Sequence, residues 1–330
     1  MNTTQQSKYS FEPSSFGRVA VLLGGNSAER EISLLSGNAI YEALESAGID
    51  AIKIDTKEQN YHQLLQQDIS RVFIALHGRD GEDGVVQGYL RMLNIPFTGS
   101  DLASSALAMN KLNSKRIWQN LGLSTAPFEK VSRKFSFNES LASVVMNKLG
   151  DVLFVKPIRE GSSVGMSKTH SVEELVKAVE IAQQFDDVLI ETFVSGKEYT
   201  VTILQDKALP SISMITPNEF YDYDAKYCSN ETEYFCPSGL EPEQEEALRE
   251  QALKSFKALG CSGWGRVDFI QNDVTREFML LEANTVPGMT KTSLVPKAAA
   301  VAGISFEQLV IRILATSFEH TSDLKESTNG

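Results

Sequence analysis

An α/β fold with a parallel sheet is what the first hundred residues predict, and three observations carry the prediction. Apolar runs of strand length alternate with segments of helical period. Polar, Gly-rich loops follow two of those runs. The chain of 330 residues, 42% apolar and 22% charged, has the composition of an ordinary globular protein and the length for two or three domains. RVAVLL (18–23) reads as a buried strand and EISLLSGNAIYEALESAG (31–48) as a helix ended by Gly48. AIKID (51–55) and RVFIAL (71–76) read as further strands, with GVVQGYLRMLN (84–94) as the next helix. In such sheets ligands lie off the carboxyl ends of the strands, where GGNSAERE and HGRDGED leave the first and third runs.

PFTGSD (96–101) punctuates the chain, and one long helix is expected over 102–122. A strand VLFVKP (152–157), a small-residue loop REGSSVGM (159–166), a helix near 172–184 and a strand VLIETFV (188–194) follow. Beyond Ser195 strand signals dominate in EYTVTIL and ALPSISMI. A helix (242–258) and two strands, GWGRVDFI and REFMLLEA, come next, the strands joined through QNDVT as a hairpin. The expected division is a flexible tail over 1–17, an N-terminal α/β domain over 18–100, a central domain over 101–191 and a C-terminal domain over 192–330. Within the last lies 216–240, a polar segment carrying Tyr221, Tyr223, Lys226 and Tyr227. A loop that long is a lid or a disordered insert, and its aromatic content favours a lid.

A formal charge of −12 argues against nucleic acid or an anionic membrane as partner, but not against nucleotides, whose phosphates are met by local donors and metal ions. Cys228, Cys236 and Cys261 have neither CxxC spacing nor an even count, so no zinc site or disulfide framework is expected. None of the four histidines pairs at helical spacing. The opening residues lack an apolar segment and no run approaches membrane-spanning length, so the expected location is the cytoplasm.

The candidate chemistry gathers late in the chain. In LLEANTVPGMT (280–290), Glu282 and Asn284 stand two apart and point to one side of a strand. Alone they fit a capped strand end as well as a ligand pair. Asp268, across the expected hairpin, adds a third oxygen donor, and an oxygen-only set favours Mg²⁺ held jointly with phosphates. Lys156 ends an apolar strand, where its ammonium requires an anion. The EGSSVG that follows is either a phosphate-cradling loop or a plain Gly-Ser turn. The pattern GxxxxGK[ST] is absent, and GGNSAER lacks GxGxxG spacing, which weighs against a nicotinamide oxidoreductase. Glu29 and Arg30 stand at a strand-to-helix junction, with Glu29 readable as a capping acid. His77 and Glu82 follow the third strand, and His77 reads equally as a ligand donor or a packing residue. Arg266, two before Asp268, points the same way and suits clamping a carboxylate or an oxyanion.

With these pieces in place the chain resembles the D-alanine–D-alanine ligase family of ATP-grasp enzymes, from about Arg18 to about Ala315. The motifs LLGGNSAEREISL, ALHGRDGEDG, FVKPIREGSSVGM, FYDYDAKY, GWGRVDF and LLEANTVPGMT occur in the family's order. The resemblance implies an ATP-grasp fold with an N-terminal Rossmann-like parallel α/β domain, and ATP held between the second and third domains under loop 160–165. It implies Lys111 and Lys156 at the ATP phosphates, with Ser163 and Lys226 also at the nucleotide. Glu191, Phe193, Val194 and Glu198 would meet adenine and ribose, and Phe220 and Leu281 would flank the base. Asp268, Glu282 and Asn284 would hold two Mg²⁺ or Mn²⁺ ions. Glu29, Ser162 and Tyr227 would form a hydrogen-bonded triad at the first D-alanine. Arg266 and the Gly288 N–H would make the oxyanion site, with His77 at the substrate and Ser293 and Leu294 at the second D-alanine. A homodimer is implied as well. Departures from the family pattern are Val286 in place of a small polar residue, Thr292 beside the second-substrate residues, and Phe193 where tryptophan is frequent. The alternatives are a D-alanine–D-lactate ligase and a non-catalytic nucleotide sensor on the same scaffold.

Overall fold

The computed structural model describes residues 11–59, 61–215 and 232–320. Phe220, Lys226 and Tyr227, and most of the expected lid, lie outside them. The chain opens on β1 (Val19–Leu23), α1 (Arg30–Ser46), β2 (Ala51–Asp55), a single turn α2 (Gln63–Gln66), β3 (Arg71–Ile74) and α3 (Val85–Met92). The strands pair in parallel in the order β2-β1-β3. All five residues of β1 are buried, as an unbroken apolar run requires when helices cover both faces. Gly37 lets α1 lie directly on the sheet: a Cβ there would stand 2.5 Å from that of Leu23. Buried Ser33 accepts from Gly24 N at 2.9 Å and donates to Ala75 O at 2.7 Å. One side chain thereby ties together the carboxyl ends of β1 and β3, from which the two conspicuous loops depart.

The single helix expected over 102–122 is two helices, α4 (Leu102–Met109) and α5 (Lys111–Asn120). Asn110 breaks it. Its backbone is extended (φ −89°, ψ 92°) and its side chain accepts from Asn113 N, so it ends one helix and caps the next. The break places Lys111 at the first position of α5, with Lys115 one turn on. Then come β4 (Phe128–Val131), α6 (Glu139–Leu149), β5 (Leu153–Pro157), β6 (Ser167–Thr169), α7 (Val172–Ala182) and β7 (Val188–Thr192), an antiparallel sheet in the order β4-β7-β5-β6. Its core lies against α6 and α7.

The last sheet is built from β8 (Gly196–Leu204), β9 (Lys207–Ala208), β10 (Ile212–Ile215) and β11 (Glu233–Phe235), then α8 (Pro242–Ala258), β12 (Trp264–Asn272) and β13 (Phe278–Asn284). Its strands run β11-β10-β8-β12-β13, with β9 beside β8, and α8 packs on its core. The chain ends in α9 (Leu294–Val301) and α10 (Phe306–Ala315). These two helices, together with Trp264, Val286 and Met289, share one apolar core with β1 and β3. In space the segment after Asn284 therefore packs onto the first sheet, far from it in sequence. Among the described residues no single helix is long and apolar enough to cross a membrane. Leu294–Val301 with Phe306–His320 passes by composition only as a pair bent by 106°.

Gly265 marks a close approach of α8 and β13 to β12 beneath the candidate site. A Cβ there would fall 2.5 Å from the Phe256 ring and 2.7 Å from the Asn284 carbonyl oxygen. Gly265→Ala is expected to destabilise the protein by about 1–3 kcal/mol, read as a lowered midpoint in urea unfolding. An unchanged midpoint would contradict the close approach of β12 and β13 described here.

Candidate functional site

Two adjoining cavities open between the sheets. The larger, of about 530 Å³, is lined by Lys111, Lys156, Ser163, Glu191, Phe193, Val194, Glu198, Asp268 and Leu281, with Phe154, Met166 and Ile270 adding apolar wall. The smaller, of about 280 Å³, is lined by Glu29, His77, Glu82, Ser162, Asn284, Gly288 and Ser293. Lys111, Arg266, Glu282 and Leu294 line both. The described residues expected to bind nucleotide, substrate or metal thus border one cavity or the other, and the wall the cavities share carries two cations and a carboxylate. Arg30 borders neither and is paired with Asp55 instead.

The β12–β13 pairing builds that wall. Asp268 stands directly opposite Glu282 and Arg266 opposite Asn284, and a register shift follows between Asp268 and Phe269. The bulge inserts Leu281 as an extra residue, so that Leu281 and Glu282, neighbours in sequence, both reach the larger cavity. Arg266 clamps Asp268 with two bonds of 2.8 Å, while Thr200 Oγ1 (2.7 Å) and Asn284 Nδ2 (3.0 Å) also donate to that carboxylate. Glu282 Oε2 lies 3.2 Å from Lys111 Nζ. The three oxygen-bearing side chains expected to hold divalent metal are therefore gathered on the paired strands β12 and β13, without His or Cys. Their carboxylates meet the guanidinium and ammonium of the chain itself. Two carboxylates and an amide make an oxygen-only set, which fits a hard divalent ion shared with phosphates.

Beneath the larger cavity is a charged cluster that the sequence reading missed in part. Glu191, buried on β7, receives Lys156 on one carboxylate oxygen and Lys115 on the other, the latter at 2.6 Å. Burial pushes the Glu191 carboxyl up, but the two ammoniums outweigh it and hold its pKa below the ordinary carboxylate range. Burial pulls the Lys115 ammonium down to about 8 against the pull of Glu191. The signal was present in KLNSK: lysines at i and i+4 share a helix face, and the second precedes buried Trp118.

The loop 160–165 joins β5 to β6 and is, topologically, the Gly-Ser turn of the plainer reading. Yet Ser162 and Ser163 both hold left-handed backbone (φ 48° and 60°), a conformation that costs a serine about 1–2 kcal/mol per residue. What holds it is contact with the loops after β1 and β3 and with the start of α5. Ser162 Oγ donates to Glu29, Arg79 pairs with Glu160, and Lys111 Nζ donates to Glu160 O at 2.7 Å. Strain of this kind, fixed by its surroundings, is characteristic of functional loops.

The far wall of the smaller cavity is braced from α1 and the loop after β3. Met289 N donates to Ser36 Oγ (3.0 Å), and Ser36 Oγ lies 3.0 Å from His77 Nε2. His77 Nδ1 lies 2.7 Å from Val286 O. With Nδ1 donating to that carbonyl, Nε2 accepts from the Ser36 hydroxyl, which is the neutral imidazole. Burial likewise pulls the His77 pKa down. His77, open between ligand donor and packing residue in the sequence, has both ring nitrogens engaged inside the chain. Glu82 accepts from Gly78 N (2.7 Å) and Val286 N (3.1 Å). Together these residues fix the backbone of 286–289, including Gly288. Ser293 Oγ lies 2.8 Å from Thr290 Oγ1 and accepts from Thr290 N at 3.0 Å.

Burial, then the nearby charge of Glu29, raises the Glu82 pKa to about 8. A carboxyl raised in this way keeps its proton in the folded chain and loses it on unfolding. Its stabilisation is present at acid pH and disappears as pH rises from the ordinary carboxylate range through about 8. Relative to Glu82→Gln, the native protein should therefore lose on the order of 1 kcal/mol or more between roughly pH 5 and pH 8. Melting of both proteins at the two pH values checks this, and an equal difference at both would contradict the shift.

Comparison with known proteins gives a consistent picture. Residues 117–315 match the family model described as D-ala D-ala ligase C-terminus, and residues 53–100 match D-ala D-ala ligase N-terminus. A D-alanine–D-alanine ligase of Pseudoalteromonas atlantica is 55% identical over 303 residues, covering 92% of this chain and 95% of the relative. One from Pseudoalteromonas translucida is 53% identical over 91% of this chain and 96% of the relative. A crystal structure of the Bacillus anthracis D-alanine–D-alanine ligase complexed with ATP superposes with TM-score 0.81 at 32% identity, covering 93% of this chain and 99% of that one.

Proposed function

The chain belongs to the D-alanine–D-alanine ligase family, and from that premise we propose how its two cavities divide the family's reaction. The enzyme joins two D-alanines at the expense of ATP, for peptidoglycan precursor synthesis. The larger cavity takes ATP, its base between the apolar side chains of Phe154, Phe193, Met166 and Leu281 and its phosphates toward Lys111 and Lys156. The smaller takes the two D-alanines. The observation that carries this division is the shared wall of Lys111, Arg266 and Glu282, since a phosphoryl group leaving one cavity must meet a carboxylate waiting in the other.

A carboxylate resists attack by an amine. An oxygen of the first D-alanine carboxylate takes the γ-phosphoryl group, giving D-alanyl phosphate and ADP. The amine of the second D-alanine then attacks the acyl carbon, the C–O bond to phosphate breaks, and dipeptide and inorganic phosphate leave. Lys111 and Lys156 offset phosphate charge and hold it in place, which is most of what phosphoryl transfer requires. Arg266 and the Gly288 N–H meet the oxyanion of the tetrahedral state, and the Ser36–His77–Val286 bonds keep Gly288 in position. Glu29, fixed by Ser162, attracts the ammonium of the first D-alanine. Asp268, Glu282 and Asn284 would hold Mg²⁺ or Mn²⁺, which supplies charge neutralisation between the carboxylates and the phosphates. Arg266 and Lys111 occupy those carboxylates otherwise. The reaction is placed in the cytoplasm, where ATP is, and in a homodimer such as the resemblance implies, which light scattering would test.

The test is ADP release and dipeptide formation from ATP, Mg²⁺ and D-alanine, with L-alanine as control and D-lactate in competition. D-alanine-dependent turnover is expected, with D-alanyl-D-alanine the main product. A chelator should abolish it, and Mg²⁺ or Mn²⁺ should restore it. Asp268→Asn and Glu282→Gln should each lower kcat by about a hundredfold or more while leaving the melting temperature of the free protein near normal. Near-native turnover in both variants would refute the metal assignment, and ADP release indifferent to D-alanine would refute the ligase reading.

A further inference from the structure

Lys115 is the most deeply buried lysine described, its side chain wholly inaccessible. It borders neither cavity, so it does not touch a bound nucleotide. Its ammonium donates to Thr125 Oγ1 at 2.6 Å and to the Leu280 carbonyl at 3.2 Å, and it stands 2.6 Å from Glu191 Oε1 as an ion pair. On the other oxygen of Glu191 sits Lys156, which lines the larger cavity. One buried carboxylate is thus shared by two ammoniums, only one of which faces the ligand.

Charge counting gives the arrangement its meaning. Glu191 with Lys156 alone would be a neutral pair, and Lys156 would have little net charge to offer a phosphate. With Lys115 beneath, the trio carries one net positive charge, and in a buried setting that charge is weakly screened. We infer that Lys115 is a positioning residue for the nucleotide phosphates: it neutralises Glu191 from below so that Lys156 remains a cation toward the cleft. The inference rests on the reading that the larger cavity binds ATP. It adds a division of labour within the helix, with Lys111 facing the ligand and Lys115, one turn on, compensating the acid behind it.

The experiment measures affinities of ATP, ADP and adenosine, by competition against a fluorescent ATP analogue with Mg²⁺ present, for the native chain, Lys115→Met and Lys115→Met/Glu191→Gln. In Lys115→Met the affinities for ATP and ADP should fall by about tenfold or more, while adenosine changes much less. Removing Glu191's charge in the double variant should return the ATP-to-adenosine affinity ratio toward the native value. A packing role would lower all three ligands together and would not be rescued by a second substitution. Equal losses for ATP and adenosine, unchanged ATP affinity in Lys115→Met, or a double variant that keeps the low ratio would overturn the inference. Should Lys115→Met fail to fold, Lys115→Gln takes its place, with the same loss expected and the same outcomes overturning the inference. Failure of the native chain to bind ATP would instead refute the nucleotide reading, before any variant is compared.

Discussion

The site depends on a pair of carboxylates, Asp268 and Glu282, brought face to face on neighbouring strands and held there by cations of the chain. Like charges directly opposite one another repel, and both are partly withdrawn from water. Arg266 answers one with a bidentate clamp and Lys111 answers the other. Both cations border both cavities. The two acids of the wall are thus neutralised by Arg266 and Lys111. A divalent ion bound there, as proposed, would take over the two acids and leave the guanidinium and ammonium free for phosphate and oxyanion.

Much of the remaining fold serves to bring other elements to this wall. The third sheet supplies its strands, but α9, α10 and the segment around Met289 share a core with the first sheet. The first sheet with α1 and the β12–β13 edge are thus joined by apolar packing and by the Ser36–His77–Val286 hydrogen bonds. The loop after β5 is held in left-handed backbone by Glu29 and Arg79 from the loops after β1 and β3. Three chain regions far apart in sequence meet within one cleft, and local strain in the loop is offset by contacts made only when they do.

The sequence made some of this legible and hid the rest, for physical reasons. Alternation in a strand put Glu282 and Asn284 on one side, and the short turn after β12 brought Asp268 opposite, because hairpin pairing is local. The bulge that adds Leu281 to the cleft was not readable, since an extra residue leaves no mark in an apolar run. The helix over 102–122 was read as continuous because Leu, Ala and Ser keep helical period across Asn110; the competing cap by its own side chain decided otherwise. Strand β4 and helices α6, α9 and α10 were not assigned, although Asn138 and the Ser305–Gln308 capping box mark two starts. His77 could not be resolved from sequence because its partners, Ser36 and Val286, lie on distant elements. Lys115 was overlooked beside Lys111, since a lysine in a helix reads as a solvated face until its burial is known.

The central claim is that a carboxylate in the smaller cavity takes phosphoryl from ATP in the larger before any peptide bond forms. The most direct measurement uses D-alanine labelled with ¹⁸O in its carboxylate and mass analysis of the inorganic phosphate released during dipeptide synthesis. The account predicts that each phosphate carries one labelled oxygen, because the C–O bond broken when the amine attacks leaves the carboxylate's oxygen on phosphorus. Phosphate free of label, with dipeptide formed at a normal rate, would contradict it.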